Sequence, residues 1–326
     1  MPSPNLSEIV TTTLRNRSAS LADNVTKNNA LLRELKKRGN VKPFRGGRSI
    51  VQEIEYAENG TFRRYSGYET LNVAPSDVFT AAEFDIKQAA VSISISGLEQ
   101  IQNSGKEAIL DLLENRIKNA ERTMMNNIAL DCYSDGTADS GKQIGGLQLL
   151  VANAPGTGTV GGINRATWTF WRNQFFRSTT DGGAAATALN IQGYMNRLYL
   201  RCKRGADATK LIVADDAYFQ FYWSSLQAIQ RIQSVSTPNG GEAGFQELAY
   251  LGVPVVADGA QGGGAPANTM YFLNTDYIHF RPYPERDMKP IGDDRFSVNQ
   301  DAMVKLIGWA GNMTLSNAAL QGVLIN

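Results

Sequence analysis

The first residues that invite a chemical reading are Gly156, Gly158 and Gly161, spaced as GxGxxG. In a dinucleotide fold these glycines let the backbone approach a pyrophosphate at a helix N-terminus. The apolar stretch Leu147–Ala152 precedes them, a helix is expected after them, and Asp181 lies twenty residues beyond Gly161. Three features oppose a nucleotide site. Pro155 separates the apolar stretch from the glycines, and Asp181 sits in the turn sequence Thr-Thr-Asp-Gly-Gly. Residues 186–202 look helical where the fingerprint needs a strand. A loop is therefore the expected state of residues 156–161.

Other candidates for chemistry are sparse. His279 is the sole histidine, in Tyr277-Ile278-His279-Phe280-Arg281, and nothing around it resembles a nucleophile elbow. It reads as a strand histidine with a satisfied hydrogen bond. A structural zinc site needs about four Cys or His ligands. Cys132 and Cys202 stand far apart with no CxxC pattern, so they are expected reduced in the packed interior. Asp215-Asp216 and Asp293-Asp294 are adjacent pairs. Strand neighbours point to opposite faces, which makes such pairs poor metal clamps. Asp215 and Asp216 suit the N-cap region of a following helix instead. Gly262-Gly263-Gly264 lacks the Gly-Lys-Ser/Thr of a phosphate loop. The expectation is a protein with no catalytic residues, no cofactor and no bound metal.

The elements around these residues explain the chain better. Of 326 residues, 42% are hydrophobic and 19% charged, which suits a globular chain with a substantial core. No apolar run reaches the roughly 18 residues of a membrane span. The N-terminus lacks a basic start followed by an apolar stretch, so no secretory leader is expected. Helices are expected over 5–15 and 20–38, the second with Leu21, Val25, Leu31, Leu32 and Leu35 at helical spacing and Gly39 as its stop. Residues 49–57 and 79–87 have strand character, and 90–96 alternate Val91, Ile93 and Ile95 with serines. Asn59-Gly60 is a turn signal. Together 46–96 read as one long two-stranded excursion. Such a ribbon is marginal alone in water, so support from another subunit is implied. Ser104 and Glu107 form a capping box for a helix over about 106–133, with Ile109, Leu113, Ile117, Ala120, Met124 and Ile128 as its apolar stripe. Further helices are expected at 164–177, 187–204 and 215–231. Strands are expected at Lys210–Val213, Val253–Ala257, Thr269–Leu273, Tyr277–Arg281, Met303–Trp309 and Met313–Ser316.

Charge is unevenly spread. Residues 1–48 carry ten Lys/Arg and three acids, a net +7, while the remainder is −6 and the whole chain +1. Such an arm is expected to meet something acidic, either nucleic acid or a neighbouring copy's acidic body.

Certain stretches resemble the major capsid proteins of tailed bacteriophages. They are Ala81-Ala82-Glu83-Phe84, Ser94-Ile95-Ser96-Gly97, Gln102-Asn103-Ser104-Gly105-Lys106, Asp111-Leu112-Leu113 and Ile144-Gly145-Gly146-Leu147. Gly161-Gly162-Ile163-Asn164-Arg165 with Phe170-Trp171-Arg172-Asn173 is similar to the segment opening their axial domain. Leu251-Gly252-Val253-Pro254-Val255 and Thr269-Met270-Tyr271-Phe272-Leu273-Asn274 resemble its return strands. The likeness implies an α+β, Hong-Kong-97-type capsid fold. It implies an N-terminal arm (1–45), an extended E-loop hairpin (46–96), a peripheral domain with a long spine helix (97–160), an axial domain (161–264) and return strands of both domains (265–326). The implied function is a structural subunit that self-assembles, as hexamers and pentamers, into an icosahedral head enclosing double-stranded DNA.

The same resemblance implies sites and partners. The E-loop tip, Phe62, Arg63, Arg64 and Tyr65, is expected to contact a neighbouring subunit. Lys36, Lys37, Arg38, Lys42, Arg45 and Arg48 of the arm are expected to contact DNA or neighbours. Asn239, Gly240, Gly241 and Glu242 would form an axial loop near the capsomer centre. A separately encoded scaffold is implied, because the arm reaches the hairpin within about 48 residues and leaves no room for a fused one. A portal, a decoration or cement protein and packaged DNA are the other expected partners, with no membrane. Assembly is expected in the bacterial host cytoplasm and the product in the virion. An encapsulin-type nanocompartment shell, and a nucleotide-dependent enzyme using the 156–161 loop, are the alternatives.

Overall fold

Thr269–Leu273 reads TMYFL, a run without polar alternation, and such a run suits a strand covered on both faces. In the computed structural model this strand lies inside a six-stranded sheet. The sheet order is Gln174–Arg177, Gly322–Ile325, Thr269–Leu273, Leu211–Ala214, Val253–Ala257, Leu248–Tyr250. The structure describes residues 30–102, 106–229, 248–259, 263–292, 295–296 and 301–326; of these, 100–102, 106–115, 227–229 and 295–296 are described as backbone only. Met270 and Phe272 enter one core with helices Ile191–Arg201 and Asp216–Ile229. Tyr271 and Leu273 enter a second core with Ile117, Met124 and Ile128 of the long helix Lys106–Asp131. One sheet thus separates two apolar layers, and its strands need no polar face.

A second sheet is built around Ala302–Leu315. One edge of this 14-residue strand pairs with Lys87–Ser96; the other meets Arg295–Phe296, Lys289–Pro290 and Ile278–Pro282 in turn. The sequence predicts two strands here, broken at Ala310-Gly311-Asn312. The chain runs straight through because tertiary contacts use those small and polar residues. A Cβ at Gly311 would lie 2.6 Å from the Arg281 carbonyl and 2.7 Å from the Trp309 ring. Asn312 donates to the Asp85 carbonyl (2.7 Å) and accepts from the Gly145 amide (3.1 Å), tying three segments together.

The excursion over 46–96 is two-stranded only in part. Ser49–Glu55 and Phe79–Asp85 pair antiparallel, Ser49 opposite Asp85 and Glu55 opposite Phe79. Beyond Asp85 the expected ribbon ends, since Lys87–Ser96 joins the second sheet. Ile93 and Ile95 on one face of that strand enter the core, so burial recruited it away from the ribbon.

The arm helix packs inward. Leu31, Leu32 and Leu35 of helix Ala30–Lys37 are 0–1% exposed, packed into this subunit's own core. Burying three leucines contributes roughly 5–9 kcal/mol. That is ample to hold an eight-residue helix that would be marginal alone. Their apolar face is spent within the subunit and is not available to neighbours. The chain then runs beside Ile278–Pro282, where Val41 forms a parallel bridge to Phe280 and Phe44 N–H donates to the Pro282 carbonyl (3.2 Å). The expected helix over 5–15 and the first part of that over 20–38 lie outside the described residues, as do Ser104 of the capping box and the pair Asp293-Asp294.

Segment 164–177 is not the expected helix. It holds the hairpin strand Ile163–Asn164, a 3-10 turn at Thr169–Trp171 and the edge strand Gln174–Arg177. Asn164 accepts the Ala166 amide (2.8 Å), an Asx turn that competes with helix formation. Elsewhere Ile191–Arg201, Asp216–Ile229, Val253–Ala257 and Thr269–Leu273 appear where periodicity places them. Asp215 is the N-cap acceptor for the Tyr218 amide (3.0 Å).

His279 lies on Ile278–Pro282, 6% exposed, but its Nδ1 has no hydrogen-bond partner. The expected satisfied hydrogen bond is therefore missing at that nitrogen. Burial, with Lys42 and Arg281 nearby, holds its pKa down to about 4, against a small opposing pull from Asp276. A depressed folded-state value means a stabilising contribution present above pH 6.5 and lost as pH falls through 4. The expected loss is ~3 kcal/mol across that window. Comparing urea midpoints of the wild type and His279→Gln from pH 7 to 4 checks this. The wild-type curve should fall more steeply; parallel curves would rule the histidine out as the cause.

Candidate assembly interface

The dinucleotide geometry is absent at 156–161. Leu147–Leu150 before the glycines is a short helix, and Thr159–Val160 turns back on Ile163–Asn164 as a hairpin rather than opening a helix. Gly161 sits at φ 59°, where a Cβ would come 2.8 Å from Ala82 and 3.1 Å from Phe84. Its carbonyl accepts the Glu83 amide (2.9 Å). These glycines seat the ribbon on the body. Among the described residues no group of three or more His, Cys, Asp or Glu side chains could hold a metal. Cys132 and Cys202 are buried and free, and burial pushes the Cys202 thiol up to about 12.

What the body does present is the ribbon. Its inner face, Ile50, Ile54, Ala82 and Phe84, is buried in the core. Register then places Val51, Glu53 and Glu55 beside Glu83, Ala81 and Phe79 on the outer face, and all six are exposed. Residues 49–85 carry seven acids and two arginines. Beyond the paired strands, residues 56–78 form no regular element and contain no buried residue. A structureless stretch of that length is ordinarily functional or disordered. Yet it carries Phe62 (77% exposed), Tyr65, Tyr68, Leu71 and Val73, the apolar content of a contact surface. Arg63 pairs with Glu69 (3.3 Å), and the Arg64 guanidinium lies 5.6 Å from the Phe62 ring centre. The four tip residues expected from sequence are thus solvent-exposed together on this loop.

The arm residues are spread along its path. Lys36 and Lys37 end the arm helix and Arg38 follows it; Lys42, Arg45 and Arg48 line the link, and all six are exposed. Glu34 lies 3.8 Å from Lys37 and 3.6 Å from Arg38. Asn239, Gly240, Gly241 and Glu242 lie outside the described residues.

Sequence reasoning missed a second basic region. Residues 161–206 carry seven Lys/Arg and one acid, Asp181. Arg165 is buried, donating to the carbonyls of Trp171 (3.2 Å), Leu149 (3.1 Å) and Leu150. Arg172, Arg177 and Arg201 instead line a cleft of about 730 Å³, between the 153–157 loop and the edge strand Gln174–Arg177. No Asp or Glu lines it. A count of charge over 161–206 alone would have found it.

No protein-family profile and no curated protein sequence matches the chain. Solved structures do. The capsid of cyanophage A-1(L) matches with a TM-score of 0.59 at 15% identity, over 88% of this chain and 90% of that one. The capsid of the native GTA particle matches at 0.53 and 14% identity, over 88% of each chain. The holo-SrpI encapsulin complex of Synechococcus elongatus matches at 0.50 and 9% identity, over 88% of this chain and 84% of that one. With a six-stranded sheet between two cores and a second sheet on one long strand, the chain has the Hong-Kong-97-type capsid fold that these solved structures share.

Proposed function

We propose that this chain is a shell-building subunit of a tailed-phage head, acting through contacts with its own copies rather than through catalysis. The observation that carries the reading is the 56–78 loop, which displays aromatic and aliphatic side chains on a chain with a capsid fold yet buries none of them. Exposed apolar surface on a rigid base is a contact waiting for its partner. Copies joined by such contacts close into symmetric assemblies, here hexamers and pentamers. The division into arm (1–45), E-loop (46–96, with its last strand, Lys87–Ser96, joined to the second sheet), peripheral (97–160 with 265–326) and axial (161–264) parts belongs to this reading. So do a separate scaffold, a portal, a cement protein and the axial loop at Asn239–Glu242. The exposed cations from Lys36 to Arg48 would meet packaged DNA by counterion release, blind to base sequence and weakened by salt.

The match to an encapsulin complex supports a second reading, a shell around protein cargo. Negative-stain microscopy of the purified full chain, with and without a co-expressed scaffold, tests both. Closed icosahedral particles are the expected result. A stable 35.5 kDa monomer under every condition would sink the proposal. Particles that copurify with an enzyme and never with DNA would move it to the encapsulin reading.

A further inference from the structure

The ribbon's outer face is a charged sheet face without a partner. Glu53 and Glu55 alternate on one strand, and Glu83 and Asp85 alternate on the other, so four carboxylates share one surface about two residues apart. The register sets no two of them directly opposite, but four carboxylates at neighbouring positions of one face repel each other, and a cationic partner would relieve that repulsion. Within the subunit the cover is slight. Asp85 meets Lys87 at 3.7 Å, Glu83 accepts only the Ser49 hydroxyl (3.4 Å), and Glu53 and Glu55 have no ion pair among the described residues.

The cleft beside the edge strand Gln174–Arg177 has the opposite defect. Arg201 donates to the Phe175 carbonyl (3.2 Å), and Arg172 to the carbonyls of Arg165 (2.6 Å) and Ala166 (2.7 Å). Among the described residues the Arg177 side chain has no hydrogen-bond partner, and none of the three arginines forms an ion pair. Phe175, 37% exposed, lines the cleft with these arginines, as Val51 and Phe79 share the ribbon's outer face with the carboxylates. Arginine forks match carboxylates in geometry as well as charge. The two surfaces are therefore complementary in charge and in apolar content, yet no hydrogen bond or ion pair joins them among the described residues.

We infer that the acidic outer face of the ribbon docks on the arginine cleft of a second copy of this chain. The occupant follows from the alternation of Glu53, Val51 and Glu55, which offers acid and apolar groups together where a nucleic-acid backbone offers phosphate alone. The inference rests on the shell reading and names which surface of the neighbour receives the ribbon.

Charge reversal tests it in the full chain, under conditions that give wild-type shells. Arg177→Glu with Arg201→Glu places acid against acid, and Glu53→Arg with Glu55→Arg places base against base. Each double variant should still melt cooperatively as a folded dissociated subunit and lose at least tenfold in shell yield. The quadruple variant, with both surfaces reversed, should recover most of that yield. Normal shells from both double variants overturn the inference while leaving the shell reading intact. So does a folded quadruple variant that stays unassembled, which would point to the basic arm as the ribbon's cover. Normal shells from Arg177→Glu/Arg201→Glu that no longer retain DNA would overturn it in favour of a genome-facing cleft. Failure of the wild type itself to form particles would instead count against the shell reading.

Discussion

Replacing Phe62 and Tyr65 together by alanine should abolish efficient shell formation while leaving the subunit folded. Both side chains are more than half exposed and neither belongs to a core cluster, so the truncation removes no core packing. Exposed substitutions away from such packing usually change stability by less than about 0.5 kcal/mol. Assembly is different, because aromatic anchors with nearby arginines are where interface energy concentrates. Losing two anchors worth roughly 2 kcal/mol each weakens one pairwise contact about a thousandfold. In a closed shell every copy makes the contact, so the critical concentration for assembly should rise steeply. Melting of the dissociated subunit, followed by sedimentation across a range of concentrations, separates the two effects. Wild-type particles of wild-type heat resistance from the double variant would remove the tip from the interface. A lowered subunit melting temperature would show that the aromatics serve the fold.

The largest expected effect on the subunit itself comes from Arg165. Its side chain is 1% exposed, and burial holds its pKa down to about 10, so it remains cationic at neutral pH. Its three carbonyl acceptors lie on two separate segments, Leu149–Leu150 and Trp171. Around it the Trp171 indole donates to the Val160 carbonyl (3.0 Å), and the Arg165 amide donates to the Gly158 carbonyl (2.9 Å). The guanidinium is the peg on which the 158–172 loop is hung. Arg165→Met keeps much of the volume but strands three buried carbonyls, at about 1–3 kcal/mol each. Relief of the buried charge offsets part of this, so a net loss of ~3 kcal/mol is expected. Arg165→Lys, a single compact donor, should recover only a fraction. Urea denaturation of the dissociated subunit measures both, and a Met variant as stable as the wild type would show the hydrogen bonds to be energetically idle. Because the loop holds Trp168 and Phe170 against Tyr56 at the ribbon's base, the Met variant should also lower shell yield.

Elements whose periodicity matches their burial are legible from the amino-acid pattern alone. Lys106–Asp131, Ile191–Arg201 and Asp216–Ile229 follow a helical repeat that faces a core, and Val253–Ala257 and Thr269–Leu273 are apolar runs covered on both sides. The same pattern places Phe62 to Tyr65 outside any core strand and leaves the glycines at 156–161 without the flanks of a nucleotide site. Local pattern suffices there because each segment's own side chains decide its state. Other features depend on long-range packing. Lys87–Ser96 alternates equally well as a ribbon strand or as a sheet strand, and its partner, Ala302–Leu315, lies some two hundred residues away. Leu31, Leu32 and Leu35 show an apolar face but not whose core receives it. The split of Glu53, Glu55, Glu83 and Asp85 from Ile50, Ile54, Ala82 and Phe84 depends on the register between two strands and on which ribbon face lies against the body. Arg165 carries no mark in the sequence that separates a buried peg from a surface arginine. Its place is set by carbonyls brought together from segments about fifteen residues apart, and such long-range closure is what local chemistry cannot encode.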